Sequence, residues 1–524
     1  MRLRHLLLLL LLCGLFTFRH YGYSWDEPLY YDYAEALPYA YNPLNWFRPD
    51  FDLEKAYGPS PGDHKTRGPA YLLFAQPFAA LFQHLGLARD DAWHLVNFLA
   101  FLLGLILFHR LARRWFSPFV SLVLTALFAT QPLIWGHVFI NPKDIPFLFA
   151  FLAAILFGLE MVDRWVEGSP SWPRTLLAAF FLGFATVLRV LAPLAGLLVL
   201  IVAIMRRPRL PWLHLLAYFF VAGLVTIALW PYLWSDPLGR FLQVFLLMSN
   251  NAATFKVLFN GYLYQPTTLP GRYLPFLLWI TITEPTWLLA GLGLILSFGL
   301  VLRRGRARRR NASDPQLPAG APSFALAEAG IVAAWFLVPV LYVLLRRPPM
   351  YDNYRHFLFI LPPIFYLAGF GLEALLRHLH FPTVWRVVLA CLLLLPGVLG
   401  IAVLHPYEYT YYNSLIGGPA GAFGRFETDY WLTCYKESVR RLNALLDHPV
   451  RLFVWREAYI AAAYAGPNVE VHSLREEPEG AKRGDYLLVN TRALEDRGIN
   501  PFAPEIFRVQ RAGATFCIVR RLGK

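Results

Sequence analysis

Charge is what this sequence has least of. Only 16% of its 524 residues are charged, against 57% hydrophobic, where a soluble domain carries roughly 25% charged residues. That scarcity excludes a soluble globular protein and points to a multi-pass membrane protein. The motifs of nucleotide chemistry are missing too: there is no G-x-x-x-x-G-K-[ST] phosphate loop and no Gly-rich dinucleotide fingerprint. No His/Cys cluster has metal-ligand spacing. No internal repeat of the kind found in many transporters is visible. The four cysteines say little: Cys13 and Cys391 lie in hydrophobic segments, while Cys434 and Cys517 in the polar tail are either a disulfide or two buried thiols.

What is present is apolar, aromatic and basic. Aromatic residues make up 16% of the chain, and many Trp and Tyr residues fall near segment ends, where interfacial belts form. The net charge of +14 does not suggest nucleic acid. Its Arg and Lys residues cluster in short runs between hydrophobic segments, as orientation signals do. The start, MRLRHLLLLLLLCGLF, is basic and then apolar, with no clear small-residue cleavage site after it, and reads as a retained signal anchor.

The positive-inside rule sets a topology. Arg2 and Arg4 place the N-terminus in the cytoplasm, and 5–18 crosses outward. The stretch 71–87 is short and broken by Gln76-Pro77, so it reads as interfacial. Spans are expected at 94–109, 118–136, 145–162, 175–188, 190–205 and 212–233. An outer loop from 234 to about 270 leads into an apolar stretch reaching 302, whose part before Glu284-Pro285 is interfacial. RRGRARRR (303–310), in the low-complexity loop 303–323, is the strongest cytoplasmic marker, and 325–345, 357–376 and 385–404 follow. The expectation is about eleven spans, an α-helical polytopic module over 1–404 with a long first outer loop (19–93). The tail 405–524 reads as a small extracytoplasmic α/β domain, with strands at 451–455, 469–473, 485–490 and 515–520 and helices at 431–446 and 457–464.

With this topology polar motifs converge on the outer face. The first outer loop brings Asp26, Glu27 and HKTRGPAYLL (64–73), with His64, Lys65 and Arg67. The next brings NPKDIPF (141–147), with Lys143 and Asp144. Arg189 sits at the outer turn of the 175–205 pair, Glu284 opens another span, and YDNYRHF (351–357) carries Arg355 and His356. Each has a plainer reading. Asp26-Glu27 before Pro28 and Asn141 to Asp144 before Pro146 both fit helix starts. Arg189 could snorkel, and Arg355 and His356 could be membrane-edge anchors. HPYEYTYYNSLIGG (405–418) and Asp429-Tyr430-Trp431 read as packing.

Taken together, the acidic pair after the first span, the His/Lys-containing motif before a Pro and an interfacial helix, and the Lys-Asp-x-Pro-like motif resemble the GT-C superfamily of lipid-linked-sugar glycosyltransferases. The resemblance is to the protein O-mannosyltransferases and the aminoarabinose transferases of lipid A, with their bacterial homologues. YDNYRHFLFILPP, HPYEYTYYN and FETDYW resemble bacterial members, so the likeness runs from Leu6 to Trp431. The sequence departs from the family's His-Pro-Pro or Lys-Pro-Pro motif, reading His64-Lys65-Thr66-Arg67-Gly68-Pro69.

The resemblance implies transfer of a sugar from a polyprenyl-phosphate donor to a hydroxyl of a protein, lipid or glycan acceptor, with inversion, at the outer face of a plasma (bacterial inner) membrane. Asp26 is then the base, with Glu27 second; adjacent side chains on an extended chain point apart, so one reacts and the other orients. Arg355, Arg189, Lys143, Lys65 and His356 would hold the donor phosphate. Asp144, His64, Arg67 and Glu284 would bind substrate. Asp26, Glu27 and Asp144 could bind a divalent cation. The competing classes are a flippase or transporter and a non-catalytic membrane scaffold.

Overall fold

The structure, a computed structural model, describes residues 2–206, 209–250, 254–296, 326–379 and 381–523. It is a helical bundle followed by a small sheet domain. Among the described residues each segment expected to span is helical, but in different lengths. Five helices are long and apolar enough to cross a bilayer: Leu3–His20, Arg89–Ala112, Asp144–Val166, Arg355–Leu379 and Thr383–Leu404. Shorter apolar helices are Trp172–Leu188, Pro193–Arg206, Trp212–Ala228, Pro237–Ser249 and Gly330–Arg346. The first four fall short of the roughly 20 residues that cross 30 Å of hydrocarbon, and the last belongs to the 21-residue helix Leu326–Arg346. By length and composition the described residues give five spans, or up to seven if each of two bent pairs counts as one; residues 297–302 of the expected spans lie outside the described residues. The chain is a multi-pass membrane protein; the basic loop 303–323 lies outside the described residues.

The expected single span 118–136 is broken. Pro118–Ala129 and Pro132–Ile140 meet at 63°, and Tyr273–Thr281 meets Glu284–Leu296 at 114°. Pro132 lacks the N–H needed to continue the first helix. The two breaks satisfy each other: Gln131 Nε2 donates to the Thr281 carbonyl (2.7 Å), and the Thr283 N–H donates to Gln131 Oε1 (3.2 Å). Within a bilayer, backbone freed from a helix must find a protein partner, and here one side chain serves both ends.

Asp144–Val166 is the central helix, with 94% of its apolar window buried against 17% for Thr383–Leu404. The outer helices instead turn large apolar side chains outward, among them Leu213, Phe220, Val384, Trp385 and Leu399, a surface suited to lipid. Close packing depends on small residues: a Cβ on Gly371 would overlap the Leu289 carbonyl oxygen. The helix Ala70–His84, with Pro77 inside it, is 15 residues long.

A two-stranded hairpin pairs β1 (Val257–Phe259) with β2 (Tyr262–Tyr264). The C-terminal domain holds β3 (Val450–Val454), β4 (Val469–Ser473), β5 (Tyr486–Asn490), β6 (Glu505–Arg511) and β7 (Ala514–Arg521), in the order β4-β3-β5-β7-β6. β3 is parallel to β4 and β5, and β7 is antiparallel to β5 and β6. The four expected strands are present. β6 went unpredicted because it is an edge strand with only Phe507 and Val509 buried, too short an alternation to stand out. The helix Cys434–Leu445 covers the sheet, and Cys434 is disulfide-bonded to Cys517 of β7.

Candidate active site

Asp26 occupies the N-cap position of the helix Glu27–Ala36 without a side-chain capping hydrogen bond, and Pro28 lies in the first turn, so the helix-start reading of Asp26-Glu27-Pro28 also holds. The turn sends the two carboxylates in different directions. Glu27 is fully buried; it accepts hydrogen bonds from the Ser24 N–H (2.5 Å) and the Tyr31 hydroxyl and lies 3.0 Å from His94 Nε2. It ties the loop to the helix Arg89–Ala112 and does not line the cavity. Asp26 does line it, and its side chain stays 20% exposed.

That cavity has a volume of about 260 Å³ and also receives Arg67, Lys143, Arg189, Arg355 and His356. Asn141 Oδ1 accepts from the backbone N–H groups of Lys143 (3.2 Å) and Asp144 (2.8 Å), starting the central helix. Asn141 Nδ2 also donates to Asp144 Oδ2 (3.1 Å). Asp144, 1% exposed, thereby faces two guanidinium groups. It pairs with Arg189, and Arg355 Nη1 stands 3.3 Å away. The helix Trp172–Leu188 ends at Arg189, whose backbone is extended before Pro193 opens the next helix. The two-helix turn thus points Arg189 at the site. Arg189 lines the cavity, and its buried Nε donates to no group among the described residues.

Arg355 is the hub. It reaches Asp26 (3.4 Å), Asp144 (3.3 Å) and Asp352 (3.1 Å), and its guanidinium lies over the rings of Trp431 (5.0 Å) and Tyr351 (5.5 Å). These contacts fix the guanidinium plane. Arg67 donates to the Tyr30 hydroxyl (3.2 Å), and Lys143 lies over the Tyr30 ring at 5.7 Å. Lys143 makes no ion pair among the described residues. Burial, with Arg189 and Arg67 nearby, pushes its ammonium well below the ordinary lysine range.

Gly68 brings Arg67 and Arg189 to the same wall. A Cβ there would overlap the Val187 carbonyl oxygen, so only glycine lets the Thr66–Gly68 loop lie against the end of the Trp172–Leu188 helix.

Three expected substrate contacts lie elsewhere. Lys65 turns away to Glu54 (3.3 Å). His64 is buried, its Nδ1 2.9 Å from the Tyr57 carbonyl and its ring stacked 5.0 Å from Tyr33, and burial pushes its imidazole down. Glu284 accepts from the Ser414 N–H (2.7 Å), holding the linker after the last helix. The three carboxylates considered for a cation do not converge: Glu27 faces His94, and the Arg355 guanidinium bridges Asp26 and Asp144. Among the described residues, Asp429, Cys434 and Cys517 stand together as a potential ligand trio, but the two sulfurs are bonded to each other.

The sequence reading missed Asp352 and Arg492. Asp352 is buried and accepts from Arg355 Nε (3.1 Å), Trp431 Nε1 (3.3 Å) and Arg492 Nη2 (2.7 Å). Arg492, 1% exposed, follows β5 and covers the rings of Trp25 (4.2 Å) and Phe255 (4.1 Å). The C-terminal domain is therefore part of the wall behind Arg355. Asp352 stood in the YDNYRHF motif; nothing in the tail distinguished Arg492 from its other arginines.

No family model and no curated protein matches the chain. Among solved structures it is similar to ArnT from Cupriavidus metallidurans bound to undecaprenyl phosphate: 14% identity, 99% of this chain and 97% of that one, TM-score 0.46. It is also similar to the archaeal oligosaccharyltransferase AglB from Archaeoglobus fulgidus, with 11% identity over 91% of this chain and 66% of that one, TM-score 0.49. The mycobacterial arabinofuranosyltransferase AftD matches at 14% identity over 99% of this chain and 40% of that one, TM-score 0.44. At these scores the functional reading rests on the geometry of the site itself.

Proposed function

We propose that this chain is an integral-membrane glycosyltransferase of the GT-C type, moving a sugar from a polyprenyl-phosphate donor to an acceptor hydroxyl. The observation that carries the reading is the convergence of Arg67, Lys143, Arg189 and Arg355 on a cavity that also holds the Asp26 carboxylate. The same cavity is lined by Val244, Phe245, Met248 and Tyr342 as well. Cations beside an apolar groove suit a phosphate joined to a lipid chain.

In the transfer, the acceptor oxygen attacks the anomeric carbon while Asp26 takes its proton. The bond from the anomeric carbon to the phosphate oxygen breaks, and polyprenyl phosphate leaves. Its added negative charge falls on Arg355, Arg189, Arg67 and Lys143. Asp144 is a positioning residue that aims Arg189 and Arg355. Attack opposite the leaving phosphate gives inversion.

The site lies on the extracytoplasmic side of a plasma (bacterial inner) membrane, with residues 1–404 forming the catalytic module and 405–524 the outer domain. The Arg2 and Arg4 bias supports this orientation. So does the Cys434–Cys517 disulfide, since such bonds persist in oxidising compartments.

Asp26→Asn tests the assignment. Transfer from a polyprenyl-phosphate sugar in reconstituted membranes should fall by about 10²–10⁴-fold, with expression and membrane insertion unchanged; near-normal transfer removes Asp26 as the base. Cysteine labelling from outside at position 26 and within 303–323 tests the orientation, and reaction only at the latter inverts it.

A further inference from the structure

Asp26 borders two cavities, and they differ in charge. The second, of about 700 Å³, lies between this end of the bundle and the C-terminal sheet domain, and it shares Trp25, Asp26 and Phe255 with the first. The first cavity sets three guanidinium groups and the Lys143 amine against Asp26. The second sets Lys256, Arg456 and Arg475 against Asp26, Glu457 and Glu495, a balanced wall. Arg456 is further neutralised by a two-pronged pair with Glu495 (2.6 and 2.5 Å). A balanced wall has no net attraction for a phosphate, while the first cavity has a strong one.

The remaining features of the second cavity favour a polyhydroxyl ligand. Glu457 Oε2 is shielded from solvent and accepts no hydrogen bond among the described residues, so a hydroxyl donor would satisfy it. Tyr459, 42% exposed, has its hydroxyl tied to the Trp25 carbonyl (2.6 Å), which fixes its ring beside Trp25 as an apolar face. Glu457, Ala493 and Leu494 all line this cavity with left-handed backbones, at φ of 39°, 51° and 60°. Non-glycine residues hold that conformation only where their surroundings enforce it, and here it shapes one wall.

We propose that this second cavity is the acceptor subsite and that it takes a neutral glycan. The proposal rests on the transferase reading of Asp26. The shared Asp26 wall sets the acceptor hydroxyl beside the base, with the donor phosphate on its far side. Tyr459 stacks on a sugar ring, Trp25 packs with its free face beside it, since Arg492 covers the other, and Glu457 accepts a hydroxyl.

The test presents full-length protein in nanodiscs to an array of neutral oligosaccharides, phosphorylated oligosaccharides and Ser/Thr-containing peptides. The same preparations are titrated with undecaprenyl phosphate. The expected result is selective retention on neutral glycans, weakened about tenfold or more by Glu457→Gln and by Tyr459→Ala, with undecaprenyl phosphate affinity unchanged. The unchanged lipid affinity also shows that both variants are folded. Preference for peptides or for phosphorylated glycans overturns the proposal, as does absence of neutral-glycan binding or equal binding by both variants. If the wild-type chain binds no undecaprenyl phosphate, the transferase reading fails instead, whatever the array shows.

Discussion

The guanidinium of Arg355 lies 3.4 Å from the carboxylate of Asp26. The proposed base and a proposed phosphate holder are therefore in direct contact. A donor phosphate bound to Arg355 competes with Asp26 for the same N–H groups. Donor binding then loosens Asp26 from its partner, leaving the carboxylate available to a hydroxyl once the donor is in place. Asp144 and Asp352 keep Arg355 in position throughout.

Asp144 and Asp26 should separate by function and stability. Asp144→Ala leaves Arg189 without its buried counter-ion and takes one of three from Arg355, and should cost about 3–5 kcal/mol. Asp26→Asn removes a partly exposed partner and should cost about 1 kcal/mol or less. Thermal unfolding in detergent compares the two; equal losses would contradict the buried-hub description.

Lys143 should take up a proton when an anion binds. Its ammonium is depressed by burial and by Arg189 and Arg67, and a phosphate beside it favours the charged form. Undecaprenyl phosphate binding should include uptake of a proton at Lys143, and the Lys143 contribution to affinity should fall as pH rises through the range where that ammonium titrates. Calorimetry in buffers of different ionisation enthalpy reads the uptake. In Lys143→Met the uptake should vanish; its persistence would assign the proton to another group.

Gly68→Ala should damage the site without touching a charged residue. The added methyl meets the Val187 carbonyl, so the loop must shift and carry Arg67 with it. A cost of about 1–3 kcal/mol is expected, together with weaker donor binding. Unchanged donor affinity in this variant would show that the position of Arg67 does not matter.

Glu427 should make stability fall as pH rises. Burial pushes its carboxyl from 4.5 up to about 6, against the opposing pull of Arg492. The folded chain then holds a proton that the unfolded chain releases. This contribution is fully present below about pH 4.5 and is lost as pH rises through 6, about 2 kcal/mol in all. Glu427→Gln should flatten the unfolding midpoint across that window. A profile identical to wild type would falsify this assignment.

The sequence by itself determined the class of molecule, because scarce charge and long apolar runs leave only the bilayer as solvent. It also determined most of the cationic site. Asp26, Lys143, Asp144, Arg189 and Arg355 each stand where an apolar segment begins or ends, and charges survive there only with a partner or a task. The strands of the tail were legible from alternation. Tertiary structure decided the rest. Local pattern could not show that the turn at Asp26 sends Glu27 to His94, that Lys65 leaves for Glu54, or that His64 is enclosed by tyrosines. Nor could it show that Gln131 joins two helix breaks, or that Arg492 reaches Asp352 from beyond β5. Those outcomes depend on which elements pack together. A charge at a segment end announces that it needs a partner, but only the packing of distant elements supplies one.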